Sequence, residues 1–84
     1  MTTDQNIRVV IQSPQGQAEF TFAKTTKVSE VIETARKQFG FEPGNFSLRR
    51  EKTNEVLAPE RPLVSFHIED GEVLLLVPEM GSGV

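Results

Sequence analysis

Apolar and polar residues alternate along the first part of the chain, which is the pattern of strands with one buried face. A turn cluster, residues 13–16 (SPQG), separates two such segments. Three apolar residues fall on one side of each segment: Ile7, Val9 and Ile11 in the first, and Ala18, Phe20 and Phe22 in the second. Because the turn is short, the two segments predict a β-hairpin.

The spacing becomes helical between residues 28 and 39. Apolar residues recur there three or four positions apart: Val28, Val31, Ile32, Ala35 and Phe39. Acidic residues come early and basic residues late, as the helix dipole favours. Gly40 and Pro43 follow as a C-terminal stop and a breaker. The pattern predicts one helix of about three turns.

The remaining strands are shorter, with predicted bounds of 46–50, 56–57 and 72–77. Phe46 and Leu48 should point inward, and Pro59 and Pro62 predict an irregular stretch before the last strand. That last strand is apolar on both faces, which is typical of a central strand. The order therefore predicts an α+β domain in which the hairpin and the last strand share a sheet covered by the helix.

The totals describe one small globular domain. The chain has 84 residues, of which 37% are hydrophobic and 25% charged. The net charge is −3 and Arg49-Arg50 is the one pair of adjacent arginines, so nucleic-acid binding is not expected. The absence of cysteine excludes disulfides, a thiolate nucleophile and Cys-ligated metals, and it suits a cytoplasmic protein. No secretory signal or membrane-length apolar run is present, so no membrane association is expected.

Several local patterns, in this order, resemble ubiquitin and its relatives, the β-grasp modifiers. Residues 63–68 (LVSFHI), followed by residues 73–76, are similar to ubiquitin's Leu, aromatic and Ile before its final strand. Residues 40–43 (GFEP) resemble the Gly-Ile-Pro-Pro after ubiquitin's helix, and Gly16 falls where its first hairpin has a glycine. The likeness spans about residues 7–83. It implies a ubiquitin-like β-grasp fold, a mixed sheet of four to five strands with one helix packed across it.

The resemblance divides the chain into a flexible lead-in (residues 1–6), a β-grasp domain (7–77) and a flexible tail (78–84). In modifiers of this kind, a narrow tail brings a terminal glycine carboxylate into an activating enzyme. Gly83 is the favoured terminus here, next to Ser82 and exposed by removal of Val84. Gly81 is the alternative terminus. A tail without any function is a third interpretation.

The resemblance thus implies a ubiquitin-like protein modifier, closest to those of bacterial conjugation operons, that is not itself an enzyme. Its implied partners are an ATP-dependent E1-like activating enzyme, a cysteine-based E2-like conjugating enzyme, a processing and deconjugating peptidase, and a target protein. The free modifier is expected to be a monomer. The target, the linkage (isopeptide or ester), chain formation and the biological process stay open.

No residue pattern predicts catalysis, a cofactor or a metal site. His67 is the only histidine, and a lone histidine is most often a surface or capping residue. The pair Glu69-Asp70 is typical of a turn that is exposed to solvent. The serines lack the glycine context of a nucleophile elbow. We therefore expect no catalytic residues, no metal ligands and no bound cofactor.

A protein-binding surface on the last strand is the second candidate site. If Val73 and Leu75 face the helix, the two leucines next to them face outward and need cover, either from neighbours or from a partner. In the resemblance, Pro14, Arg49 and Leu76 match ubiquitin's apolar patch, and an arginine at its centre implies dedicated partners. The predicted partner-binding surface comprises Leu74, Leu76, Arg49 and Pro14.

Two other functions compete with conjugation. One is a non-conjugated β-grasp interaction domain that binds through the predicted surface. The other is a sulfur carrier for cofactor synthesis, whose terminal glycine becomes a thiocarboxylate. Such carriers end in two consecutive glycines, and Val84 at the end of this chain counts against that function.

Overall fold

Five strands and two helical segments follow one another along residues 6–79, the part of the chain that this computed structural model describes. In chain order they are β1 (Asn6–Ser13), β2 (Gly16–Ala23), α1 (Val28–Phe39), β3 (Phe46–Arg50), β4 (Val56–Leu57), a 3-10 helix (Leu63–Phe66) and β5 (Glu72–Pro78). The helix, β3 and β4 have the predicted bounds. The 3-10 helix lies in the stretch that the two prolines marked as irregular.

The strands form one mixed sheet in the order β2-β1-β5-β3-β4. β1 pairs antiparallel with β2 and parallel with β5, while β3 pairs antiparallel with both β5 and β4. β5 is thus central, as its two apolar faces predicted. Five strands with α1 on one face form the predicted β-grasp arrangement.

The core lies between α1 and one face of the sheet. Helix α1 contributes Val28, Val31, Ile32 and Ala35, the strands contribute Ile7, Val9, Ile11, Leu48, Leu57, Leu74 and Leu76, and the chain before β5 adds Leu63 and Ile68. Six partly buried phenylalanines pack around this cluster, among them Phe20 and Phe46. The inward positions predicted for Phe46 and Leu48 are therefore confirmed.

Helix α1 ends where the glycine predicts. Gly40 adopts a left-handed conformation (φ 80°), which a residue with a side chain rarely does. Its N–H donates to the Lys37 carbonyl (3.2 Å), and the Phe41 N–H donates to the Arg36 carbonyl (3.0 Å). The chain is thereby turned back toward β3.

A buried ion pair joins β3 to β5 on the core side. Arg50 donates from Nε to Glu72 Oε2 (2.5 Å) and from Nη2 to Glu72 Oε1 (3.0 Å). Its Nη1 donates to the Phe66 carbonyl (3.1 Å), and the Glu69 N–H donates to Glu72 Oε1 (3.0 Å). Burial would raise the pKa of Glu72, but these hydrogen bonds outweigh it, so the pKa lies below its ordinary value. The pair therefore fixes the chain before β5 as well as the two strands.

The sheet extends slightly beyond the predicted domain limits of 7–77. β1 begins at Asn6, which lies opposite Ala23 of β2, and β5 continues to Pro78, opposite Phe46 of β3. The Glu79 N–H then donates to the Asn45 carbonyl (2.8 Å). Residue 6 was expected in the flexible lead-in and residue 78 in the flexible tail. Cross-strand pairing, which the sequence pattern does not show, corrects both.

Candidate protein-binding face

The orientation predicted for β5 is wrong. The side chains of Leu74 and Leu76 are 0% and 1% exposed and belong to the core. Val73, Leu75 and Val77 are the partly exposed residues, on the side of the sheet that faces away from α1. Leu74 and Leu76 therefore cannot contribute their side chains to an exposed patch.

Strand register explains this orientation. Leu74 lies opposite Ile11 of β1, and Leu76 lies opposite Leu48 of β3. Residues directly opposite each other point to the same face of a sheet, and both of these partners are core residues. Glu72 lies on the inward side too, where Arg50 neutralises it. Because the inward position 72 is occupied by a charged residue, the sequence of β5 does not indicate which of its two sides is buried.

We call the opposite side of the sheet the outer face and define it by Val10, Gln12, Ser47, Arg49, Val73, Leu75 and Val77, all of them partly exposed. Register places Arg49 directly opposite Leu75, and Ser47 opposite Val77. Both helical segments of residues 6–79 contribute to the core on the other side. Within the described residues, the outer face therefore has no covering layer.

Part of the predicted surface is brought together by the hairpin turn. A shallow, open groove of about 280 Å³ runs between that turn and the end of β5, lined by Gln12, Ser13, Pro14, Leu75, Leu76, Val77 and Pro78. Pro14 and the strand that carries Leu76 thus lie side by side. Arg49 does not line the groove, but it lies next to it, across Leu75. The residues that sequence reasoning missed are Leu75 and Val77.

Arg49 is the cation opposite Leu75 on the outer face, and it is incompletely paired. Its Nη1 donates to Asn54 Oδ1 (3.2 Å), but its Nε is buried without a hydrogen-bond partner. Among residues 6–79, no carboxylate lies within ion-pair distance of Arg49. Ser47, two positions along the same strand, has a buried Oγ that also lacks a partner. Unpaired buried polar atoms are uncommon in folded proteins, so both need an explanation.

The described residues bear on some of the other site predictions. His67 is exposed and ends the 3-10 helix, its N–H donating to the Val64 carbonyl (3.2 Å), so the surface and capping role is confirmed. Across residues 6–79, no three acidic or histidine side chains are grouped closely enough to hold a metal ion. The helices in this part of the chain are too short or too polar to cross a membrane.

The predicted conjugation tail lies outside the described residues. Gly81, Ser82, Gly83 and Val84 all follow residue 79, where the description ends. The choice between Gly83 and Gly81, and the tail's function, therefore stay predictions.

Comparison with known families gives a match over most of the chain. Residues 6–76 match the family model described as "WXG100 protein secretion system (Wss), protein YukD". The nuclear protein localization protein 4 homologs of human and mouse are each 30% identical over 82 residues, which is 94% of this chain. The chain spans only 14% of the length of these relatives.

Solved structures agree with the observed architecture. A de novo design based on ubiquitin superposes with a TM-score of 0.80 at 19% identity, covering 98% of this chain and all of the design. The solution structure of an N-terminal ubiquitin-like domain gives 0.75 at 25% identity, covering 98% of this chain and 83% of that one. A chain from the structure "Molecular Mimicry of SUMO promotes DNA repair" gives a TM-score of 0.79 at 17% identity, covering 90% of this chain and 95% of that one. These likenesses confirm the predicted ubiquitin-like β-grasp fold.

Proposed function

The chain belongs to the YukD family of the WXG100 protein secretion system, and on that basis we propose that it serves this system as a protein-interaction domain. It binds a partner protein through the outer face of its sheet. The observation that carries the proposal is the uncovered row of Val73, Leu75 and Val77 on the central strand. This is the non-conjugated function that the sequence offered as an alternative.

A physical reason connects the outer face with binding. Apolar side chains on a sheet lower the free energy when a second layer removes them from water. The core side already has this layer in α1, whereas the described residues supply none for the outer face. A partner that covers Leu75 and Val77 would supply it. Because Arg49 lies beside this row, directly opposite Leu75 on the next strand, a partner must also match a positive charge.

Conjugation through Gly83 or Gly81 is the competing mechanism. It would need the E1-like, E2-like and peptidase partners, and it depends wholly on residues beyond 79. The match to the YukD family ends at residue 76, before the tail. The narrower resemblance to modifiers of bacterial conjugation operons likewise stays a prediction. Nothing within residues 6–79 favours conjugation or sulfur transfer over binding.

Gene replacement in the native cell separates the two mechanisms. One strain carries Leu75→Asp on the outer face, and a second carries tryptophan in place of both Gly81 and Gly83. A third carries Thr34→Asp, a matched acidic change on the exposed side of α1. The readout is the amount of WXG100 proteins in the medium, with the cellular level and urea midpoint of each variant measured in parallel.

If the proposal holds, Leu75→Asp stops secretion, whereas the tail variant and Thr34→Asp secrete normally. The reverse result, in which the tail variant fails while a folded Leu75→Asp protein works, would replace binding with conjugation. Adducts of higher mass that disappear in the tail variant would point the same way.

A further inference from the structure

We infer that the partner of the outer face presents an amphipathic helix whose apolar side chains cover Leu75 and Val77 and whose carboxylate pairs with Arg49. This inference rests on the proposed function, because it assigns the partner chemistry for the same face. It follows from the main-chain pairing of the sheet and from the unpaired groups on β3.

The pairing of the sheet favours a helix over a strand. β5 is hydrogen-bonded on both sides, to β1 and to β3, and β3 is bonded to β5 and β4. The outer face therefore offers side chains but almost no free main-chain groups, so an added strand could not bond to it. From Val73 to Val77 the exposed row extends about 13 Å. That distance corresponds to between two and three turns of a helix.

The state of Arg49 favours a carboxylate on that helix. A guanidinium binds a carboxylate best through two parallel N–H groups, and Arg49 has one Nη occupied by Asn54 and an Nε with no partner. In the free domain this Nε is covered by its neighbours. A small rotation of the side chain toward a partner would expose Nε together with Nη2, and such side-chain changes are common on binding. Both donors would then be satisfied at once.

The neighbouring charges leave this position open. Arg8, Arg36, Arg50 and Lys52 each lie within ion-pair distance of a carboxylate of the described residues. Arg49 does not, although both of its cross-strand neighbours, Val56 and Leu75, are apolar. Ser47 lies two residues along the strand, about 7 Å from Arg49, and its buried Oγ also lacks a hydrogen-bond partner. A change of its rotamer would let this hydroxyl bond a second polar group of the same helix.

A selection with displayed helices tests the inference directly. The probe is a library of single helical peptides with leucine fixed at positions i, i+4 and i+7. One face position between them is varied among Glu, Gln and Lys. The library is selected against the folded domain and, separately, against Arg49→Glu, and bound helices are located by amide shifts of Ser47, Leu75 and Val77.

We expect the native domain to enrich glutamate and Arg49→Glu to enrich lysine. Arg49→Lys should bind the selected acidic helix about tenfold more weakly, because an ammonium lacks the planar fork. The matched control is Lys37→Glu, which reverses an exposed charge on α1 and should leave the preference for glutamate unchanged. Sedimentation of the free domain should show a monomer.

Three results would overturn the inference: no enriched helix, equal enrichment of Gln and Glu, or binding away from the outer face. A dimer that Arg49→Glu dissociates would do so too, since a second copy would then be the occupant. These failures are distinct from failure of the proposed function. If Leu75→Asp stops secretion while the selection shows no charge preference, the face binds a partner of different chemistry.

Discussion

The two sides of β5 carry the same kind of side chain and have different roles. Leu74 and Leu76 are 0% and 1% exposed beneath α1, whereas Leu75 and Val77 stay partly exposed on the outer face. Nothing in their chemistry distinguishes them. Their environments differ because α1 covers one side of the sheet and no element of residues 6–79 covers the other. A leucine therefore belongs to the core or to the partly exposed outer face according to what is packed against it.

Two adjacent arginines on β3 also differ according to the side of the sheet on which each lies. Arg50 points to the core side and bonds to Glu72 and to the Phe66 carbonyl. Arg49, on the outer face, bonds to Asn54 with one nitrogen and leaves its Nε unpaired. The pKa of Arg50 is raised above its usual value by its hydrogen bonds to Glu72. Complete pairing is typical of a structural residue, whereas the ion pair proposed above would complete the pairing of Arg49.

Truncation of the two leucines should give the largest difference between the faces. Leu74→Ala leaves a cavity in a closed core and should lower the free energy of unfolding by roughly 2–5 kcal/mol. Leu75→Ala removes a partly exposed side chain and should cost about 1 kcal/mol. Urea unfolding of both variants measures the difference. A larger loss for Leu75→Ala than for Leu74→Ala would mean that β5 has the opposite orientation.

Removal of the Glu72 charge should have a smaller, pH-dependent effect. Glu72→Gln removes the negative charge and one of the two acceptor oxygens that Arg50 binds, and it should cost about 2 kcal/mol near pH 7. The folded-state pKa of Glu72 is depressed, so its contribution is complete above the ordinary glutamate value and is lost as the pH falls through the folded value. The two proteins should therefore approach each other in stability in acid.

Thermal unfolding at pH 7 and at successively lower pH tests this. Asp70 and Glu33, whose pKa values are also lowered, are unchanged in the variant and cancel in the comparison. A difference that stays constant at all pH values would show that Glu72 acts only by packing.

Removal of the Arg49 charge should have the smallest effect on stability. Arg49→Met keeps the unbranched stem, loses one bond to Asn54 and also removes a buried donor that has no partner. We expect a change within about 0.5 kcal/mol in either direction. Arg50→Met is the matched control at the next residue, and it should be strongly destabilising because it leaves Glu72 buried and unpaired. A large loss for Arg49→Met would make Arg49 a structural residue and would weaken the proposed binding role.

Much of the fold was predictable because its signals are local. The spacing of Val28, Val31 and Ala35 marks a helix wherever it is packed, and Gly40 ends it through its own backbone conformation. The alternation around Ile7 and Phe20 marks strands in the same way. Central placement of β5 followed from its apolar character on both faces. The limits of the sheet at residues 6 and 78 did not follow, because they depend on pairing with another strand.

The candidate protein-binding face was only half predictable. Arg49 and Pro14 were predicted for the surface, and the structure places them on either side of β5 near Leu75. Leu74 and Leu76 were assigned to the wrong side of the sheet. Alternation along a strand indicates that it has two faces, but it does not indicate which face the helix covers. The inward Leu48 could have corrected this only if its pairing with Leu76 had been known.

The sequence by itself determined the elements, their order and the presence of two apolar rows on β5, since these depend on residues a few positions apart. Only the tertiary structure decided which row is buried and which arginine is paired. Both outcomes depend on strand register between segments that are far apart in the chain, such as β1 with β5 and β3 with β5. A shift of one residue in that register would exchange the two faces of β5, and the register cannot be inferred from residues that are close together in the sequence.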